Sequence, residues 1–495
     1  MEFIDVMFQS PELLLYLAAG VFVGIYVGAI PGLSCTMAVS LLISFTFSWE
    51  ILPAMAVMVG VHIGGVYGGS RSAILLNIPG APAAVATALD GYPLAKKGQA
   101  GKAIGVTVVQ SVFGGMIGVL FLALGAPALS KVALSFSSFD YMLLALMGLL
   151  LVGSLGNESM ARGLFAVAIG IFIGTIGLDM VTGRARFTFG NIYLSNGVNY
   201  VVVMIGLFGM SEALMQLRDL KVKPVKQDVD KIVPGWKNVI KYMPLSIRTS
   251  LIGVFVGALP GTGGDIAALI SYDHAKRTTK NPEVPFGEGA IEGLVAPESS
   301  NNAAIGGAYI PMLTLGIPGD ATSAVMLGAM YVHGLQPGPL LMDQSADVFH
   351  FIIGSGFIAN VFLLIFGFMG IKLFTKIVEM PKYVLMPAII IFSVVGAFSI
   401  NNSVADVYWM MGFGIVGYLM KLNNIPVSPV ILGVILSSLM ETNFRRGMSI
   451  ANNSVGGFFA CIFTEPIACV LALVILVMLF SQSGVVKKWR KKKAA

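Results

Sequence analysis

An all-α protein threaded repeatedly through a lipid bilayer is the fold class this sequence predicts, and three observations predict it. Of 495 residues, 56% are hydrophobic and only 11% are charged, against about a quarter charged in soluble domains. The apolar residues gather in runs, some near the roughly 20 residues that a spanning helix needs. The stretch Gly253-Val-Phe-Val-Gly-Ala-Leu-Pro-Gly261 also repeats Gly24-Ile-Tyr-Val-Gly-Ala-Ile-Pro-Gly32, 229 residues earlier (253 less 24). Both copies are apolar enough for lipid, yet proline and glycine break helical pairing in mid-segment.

Apolar segments are expected over 12–31, 33–48, 52–69, 72–90, 104–127, 140–156, 161–178 and 197–216. After a polar linker they resume over 249–272, 289–305, 306–332, 347–371, 383–400, 405–421, 427–440 and 455–481. Short or interrupted members read as half-helices or re-entrant hairpins, which protein or a water-filled cavity must shield. The start, Met1-Glu-Phe-Ile-Asp5, lacks the positive region of a cleaved signal peptide, so the first segment is expected to stay in the membrane. Cys35, Cys461 and Cys469 sit in apolar surroundings without metal-ligand spacing and read as small buried hydrophobes.

The repeat continues beyond the opening motif. Gly64-Gly-Val-Tyr67 resembles Gly306-Gly-Ala-Tyr309, and Ile78-Pro-Gly80 matches Ile317-Pro-Gly319. Tyr141–Ser159 resembles Tyr383–Ser403, Ala161 pairs with Ala405, and Glu212 pairs with Glu441. These matches divide the chain into a first transmembrane repeat (1–216), a basic linker (217–248), a second repeat (249–446), an extra C-terminal membrane helix (447–486) and a basic tail (487–495). Linker and tail concentrate Lys and Arg and are expected in the cytoplasm. Glu2, Asp5 and Glu12, with no base beside them, place the N-terminus outside. The two repeats would then enter from opposite sides, as inverted repeats do. Arg445 and Arg446 fall on the outer side in this scheme, against the charge rule.

Three motifs carry a resemblance. Gly257-Ala-Leu-Pro-Gly-Thr-Gly-Gly-Asp265, the run from Glu288 through Pro297-Glu-Ser-Ser-Asn-Asn302, and Gly316-Ile-Pro-Gly-Asp-Ala-Thr-Ser-Ala324 resemble the signature of the large membrane subunit (TctA-like permease) of tripartite tricarboxylate transporters. The resemblance spans essentially the whole chain. It implies a secondary transporter of the bacterial inner membrane that imports a carboxylate, such as citrate or a smaller acid. It also implies a small membrane subunit, a periplasmic solute-binding protein that delivers substrate, and a driving cation gradient.

The residues themselves support a carboxylate site. Small polar residues follow each Pro-Gly: Ser34 and Thr36 after Gly32, and Thr262, Gly263 and Asp265 after Gly261. A helix starting there points free N–H groups and a positive dipole end at the break. Gly80, and Gly319 with Thr322 and Ser323, supply a second pair of breaks. Ser299, Ser300, Asn301 and Asn302 add hydrogen-bonding side chains in a row; the aligned place in the first repeat, Met55–Gly60, is apolar. Asp265 and Asp320 are candidates to hold coupling Na+ or H+, and each could equally cap a helix. Glu298 is a further acid near the breaks. His62 suits a proton relay or a satisfied core histidine, and Arg71 suits a carboxylate partner or an interfacial anchor. No cofactor or resident metal is expected. Enzyme motifs such as Gly-x-Ser-x-Gly and His-Glu-x-x-His are missing from the sequence. A channel shares broken helices but has no need of inverted halves.

Overall fold

The computed structural model describes residues 10–30, 33–154, 159–179, 182–218, 236–369 and 382–482. Pro31, Gly32, the linker over 219–235 and the basic tail lie outside the described residues.

The described chain is helical almost throughout. The first half runs α1 (Glu12–Ala29), α2 (Cys35–Thr46), α3 (Ile51–Leu76), α4 (Ala84–Lys96), α5 (Ala100–Ala133), α6 (Ser138–Ser154) and α7 (Met160–Gly174). A two-stranded hairpin, β1 (Gly177–Leu178) with β2 (Ala185–Arg186), and a short α8 (Ile192–Ser195) follow α7. Then α9 (Tyr200–Met204) passes through a π turn at Ile205–Met210 into α10 (Ser211–Leu217). The second half runs α11 (Trp236–Ala258), α12 (Gly263–Thr278), α13 (Glu292–Leu315), α14 (Ala321–Val332), α15 (Leu341–Gln344), α16 (Ala346–Met369), α17 (Lys382–Asn401), α18 (Val404–Leu422) and α19 (Ser428–Ile450). It closes with α20 (Val455–Thr464) and α21 (Pro466–Gln482). Among the described residues five helices are long and apolar enough to span a membrane, over 12–29, 51–76, 100–133, 200–217 and 346–369. The protein is thus an all-α, multi-pass membrane protein.

Two compact units emerge, and they do not follow the repeat boundary. One draws on Met1–Ser130 and Asn199–Val427, the other on Lys131–Val198 and Ser428–Ala495. In the first, α1 packs along α3 and α11 along α13, both through glycine. A Cβ on Gly20, Gly24 or Gly28 would come within 3.0 Å of the α3 backbone, and one on Gly253 or Gly257 would do the same against α13. Gly64, Gly68 and Gly307 press back equally closely, and Gly306 meets Gly118. Side-chain-free contact of this kind is how helices associate where no water drives burial.

That packing corrects two expectations, and a bend at the C-terminus corrects a third. Gly68-Gly69 and Gly306-Gly307, where segments were expected to end or begin, do not break the helices: α3 continues through Gly69–Ser72, and α13 through Gly306. They are contact points for the neighbouring helix. The contacts also fix the repeat register. Gly24 faces Val61 where Gly253 faces Ser300, Gly28 faces Gly65 where Gly257 faces Ala304, and Gly80 faces Gly28 where Gly319 faces Gly257. Along α3 and α13 the offset is therefore 239 (300 less 61), so Tyr67 is not the counterpart of Tyr309. The shift of three residues is nearly one helical turn. It places His62, rather than an apolar residue, opposite Asn301. The third correction is at the C-terminus, where the expected single helix is two helices bent by 103°. Pro466 cannot donate a backbone N–H, and Glu465 before it is extended (φ −93°, ψ 121°).

The second unit carries a compact ion network. Arg445 donates to Asp179 Oδ2 (2.6 Å) and Glu441 Oε1 (2.8 Å), and Arg186 donates to Glu441 Oε1 (2.7 Å). Arg445, out of place by the charge rule, thus has local acids that neutralise it.

Candidate functional site

The four helices that follow the Pro-Gly breaks begin in one region of the first unit, tied to each other in crossed pairs. Ser34 caps α2, its Oγ accepting from the Met37 amide at 3.0 Å. At the second residue of that helix the Thr36 hydroxyl pairs with the Thr322 hydroxyl of α14 at 2.8 Å. The start of α14 is fixed by a capping box: Asp320 Oδ1 accepts from the Ser323 amide (2.6 Å), and Ser323 Oγ accepts from the Asp320 amide (2.8 Å). On the other side, Asp265 of α12 accepts from the Ala83 amide at the start of α4 (3.0 Å). Register makes these two ties one tie made twice, because Thr36 corresponds to Asp265 and Ala83 to Thr322. Asp265 and Asp320 are both helix caps. Gly263 (φ 60°) lies against the Asp320 side chain, and Gly261 (φ 77°) turns the chain out of α11. Both are conformations that favour glycine.

The remaining site candidates divide by direction. Thr262 does not cap α12: its hydroxyl donates to the Val256 and Leu259 carbonyls, closing the turn behind it. Ser299–Asn302 are neither an N-cap nor a loop, since α13 starts seven residues earlier at Glu292. Ser299 faces α11, bonded to Thr249 Oγ1 (2.7 Å). The Ser300 carbonyl lies against Gly253, and its hydroxyl is buried without a partner. Asn301 turns toward the α12 start, its side-chain oxygen against Gly264. Asn302 Nδ2 donates weakly to the Glu298 carbonyl (3.4 Å), and its Oδ1 is buried and unpartnered. Gly80 and Gly319 are packing points on Gly28 and Gly257.

His62 is fully buried, with Nδ1 on the Tyr309 hydroxyl (2.9 Å) and Nε2 unpartnered, so it is only half satisfied. The Cys35 thiol, buried as expected, points to the carbonyls of Val61 and His62. Cys461 and Cys469 are only partly buried. Arg71 is buried in α3 and donates to the Gly367 (2.7 Å) and Phe366 carbonyls near the end of α16. Two acids hold the scaffold. Asp90 Oδ1 accepts from the amides of Gly287, Gly289 and Ala290, each at 2.8 Å, and Oδ2 from the Tyr272 hydroxyl. Glu298 is enclosed by hydroxyls of Ser70, Thr87 and Ser111. Sequence spacing could not find that cage, because its members come from four helices. A pocket of about 230 Å3 lies apart from these breaks, lined by Lys97, Lys102, Tyr242, Glu283 and Glu292. The Lys241 ammonium beside exposed Glu283 holds that carboxyl below its usual range.

Chemically, each helix start offers free N–H groups and roughly half a positive charge. Hydroxyl and amide donors from α2, α13 and α14 stand around them. The class is therefore a multi-pass membrane protein whose paired broken helices bring polar helix starts and two acids together. The sequence pattern described as the tripartite tricarboxylate transporter TctA family matches residues 14–432, and the chain belongs to that family. An uncharacterized 52.8 kDa protein from the TAR-I ttuC' 3' region of Agrobacterium vitis is 36% identical over 468 residues, covering 94% of this chain and 92% of the relative. An uncharacterized protein from the TAR-II ttuC' 3' region of the same organism is 40% identical over 219 residues, 44% of this chain and 88% of its own. No solved structure matches the chain.

Proposed function

We propose that this protein is the membrane permease subunit of a secondary transporter that imports a carboxylate across the bacterial inner membrane. A periplasmic solute-binding protein delivers the substrate, a small membrane subunit completes the assembly, and a gradient of Na+ or H+ drives uptake. The N-terminus lies in the periplasm, the linker and tail in the cytoplasm, and the two halves are inverted repeats. The protein is a carrier and not an enzyme. The observation that carries this reading is the crossed pair of ties, Thr36 to Thr322 and Asp265 to Ala83, which gathers four helix N-termini in one place.

Charge arithmetic supports coupling to a cation. Four helix ends contribute roughly two positive charges in sum, and Asp265 with Asp320 contributes about two negative ones. The locus is then near neutral before substrate arrives, and an incoming carboxylate favours entry of a cation beside it. Asp265 and Asp320 each spend one oxygen on a cap and keep the other for such a cation. Substrate donors are the helix starts around Ser34, Thr36, Thr322 and Ser323, with Asn301 and Asn302. The test is uptake of labelled citrate, succinate and acetate into proteoliposomes holding all three components, under imposed Na+ or H+ gradients. Accumulation of one acid under one gradient supports the reading. Unitary currents without accumulation would instead identify a channel.

A further inference from the structure

We propose that Glu298 is the proton carrier of this protein, a role distinct from the caps Asp265 and Asp320. The inference rests on the transport reading above, selects H+ over Na+ as its coupling ion, and moves the coupling site from Asp265 and Asp320 to Glu298.

Glu298 sits on α13 immediately before Ser299 and is 1% exposed. Its Oε1 accepts from the Ser70 hydroxyl of α3 and the Thr87 hydroxyl of α4 (2.5 Å), and its Oε2 from the Ser111 hydroxyl of α5 (2.7 Å). All three donors are themselves buried. An acid of the second half is thus wrapped by three helices of the first. Among the described residues no cation pairs with it. A buried acid without an opposite charge is costly, and in a membrane it is by default a functional group.

The facing groups on each neighbouring helix are otherwise engaged. On α3, Tyr67 stands beside Arg71, and Arg71 donates to α16 carbonyls. On α4, Asp90 is taken up by the 287–290 turn and Tyr272 of α12. On α12, Asp265 is held by Ala83; on α11, Arg248 is exposed and turned to the Pro244 carbonyl. The charged residues of α5 are Lys102 and Lys131, more than two turns from Ser111 on either side. α14 carries no charged residue after its Asp320 cap.

The cage suits a proton better than a metal ion. A cation site holds oxygens apart around a gap of ion size. Here the hydroxyls lie directly on the carboxylate oxygens. Each hydroxyl can donate or accept. When a proton adds to Oε2, the new O–H donates to Ser111 Oγ, and the serine hydrogen swings to a carbonyl of its own helix, a bond serine readily makes. The carboxylate and one proton become the carboxylic acid, and no heavy atom need move. Release reverses the step.

The test uses the complete transporter in proteoliposomes, with labelled citrate, succinate and acetate. Two readouts are compared: accumulation under an inward pH gradient, and exchange of the transported acid at equal pH on both sides. Glu298→Gln keeps shape and hydrogen bonding but binds no proton. Its exchange should persist within about threefold of wild type, while accumulation falls to a ratio near one. Ser111→Ala removes a donor to the ionised form, so the pH of half-maximal accumulation should rise by about one unit. A group with a merely structural role would not move that midpoint. Full accumulation by Glu298→Gln overturns the proposal, as does loss of exchange together with accumulation. Wild-type uptake that follows Na+ alone also overturns it while leaving the transport reading intact. Wild-type protein that moves none of the three acids defeats both.

Discussion

Asn301 and Ser299 stand two positions apart on α13 and should respond to truncation in opposite ways. The Asn301 amide lies at the start of α12, and no described residue bonds it. Asn301→Ala therefore leaves no protein group newly orphaned. On the proposed assignment it removes a donor to the substrate carboxylate, worth roughly 1.5–3 kcal/mol for a bond to a charged group. At 1.4 kcal/mol per tenfold, affinity should weaken by about 10- to 150-fold with little change in stability. Ser299 instead bonds Thr249 across α11 and α13. In Ser299→Ala the threonine hydroxyl keeps its own acceptor, the Leu245 carbonyl at 2.8 Å, so the cost stays at roughly 0.5–1.5 kcal/mol of stability. Its affinity should stay within about twofold of wild type. The assay is citrate or succinate binding by calorimetry on purified, correctly inserted protein, with thermal unfolding alongside. The reverse pattern, intact binding in Asn301→Ala and a tenfold loss in Ser299→Ala, would refute the assignment of faces on α13.

Further expectations follow from the crossed ties and the glycine contacts. Asp265→Asn keeps an acceptor for the Ala83 amide and should unfold like wild type, whereas Asp265→Ala orphans that amide and should lose roughly 1–2 kcal/mol in denaturant unfolding; equal stability of the two variants would show that the tie does not hold. A double-mutant cycle of Thr36→Val and Thr322→Val should return a coupling of about 1 kcal/mol in stability, and a value near zero would mean that the hydroxyl pair contributes nothing. Gly257→Val places two methyls against the Ala304 backbone and should abolish stable expression, while Gly412→Ala, which meets open space, should be tolerated. In protein with Cys461 and Cys469 replaced by serine, bound substrate should slow alkylation of Cys35, whose thiol lies at the α2 start; an unchanged rate would place the substrate elsewhere.

Much of this was legible in the sequence because the physics behind it is local. Pro-Gly pairs break helices wherever they occur, so the starts of α2, α12, α4 and α14 could be read directly, as could Asp265 and Asp320 as acids able to cap them. What needed the structure was long-range. Gly68-Gly69 and Gly306-Gly307 read as segment boundaries because glycine weakens a helix, yet the opposing backbone at Gly68, Gly306 and Gly307 requires glycine there. The repeat register came out one turn wrong at Tyr67 for the same reason: two Gly-Gly pairs look alike in sequence but face different neighbours. Arg71 carries no local sign that its guanidinium caps α16, and Glu298 none that three serine and threonine hydroxyls surround it. The bend at Glu465 was signalled by Pro466, but the apolar run across it masked the signal.

The central claim is that a carboxylate binds where the four helix starts cross. It is tested most directly by a density map of the transporter with its carboxylate bound. Density within hydrogen-bonding distance of the Thr36 and Thr322 hydroxyls and the Asn301 amide is the predicted result. Density lodged in the pocket lined by Lys97 and Lys102, with the crossing unoccupied, would contradict it.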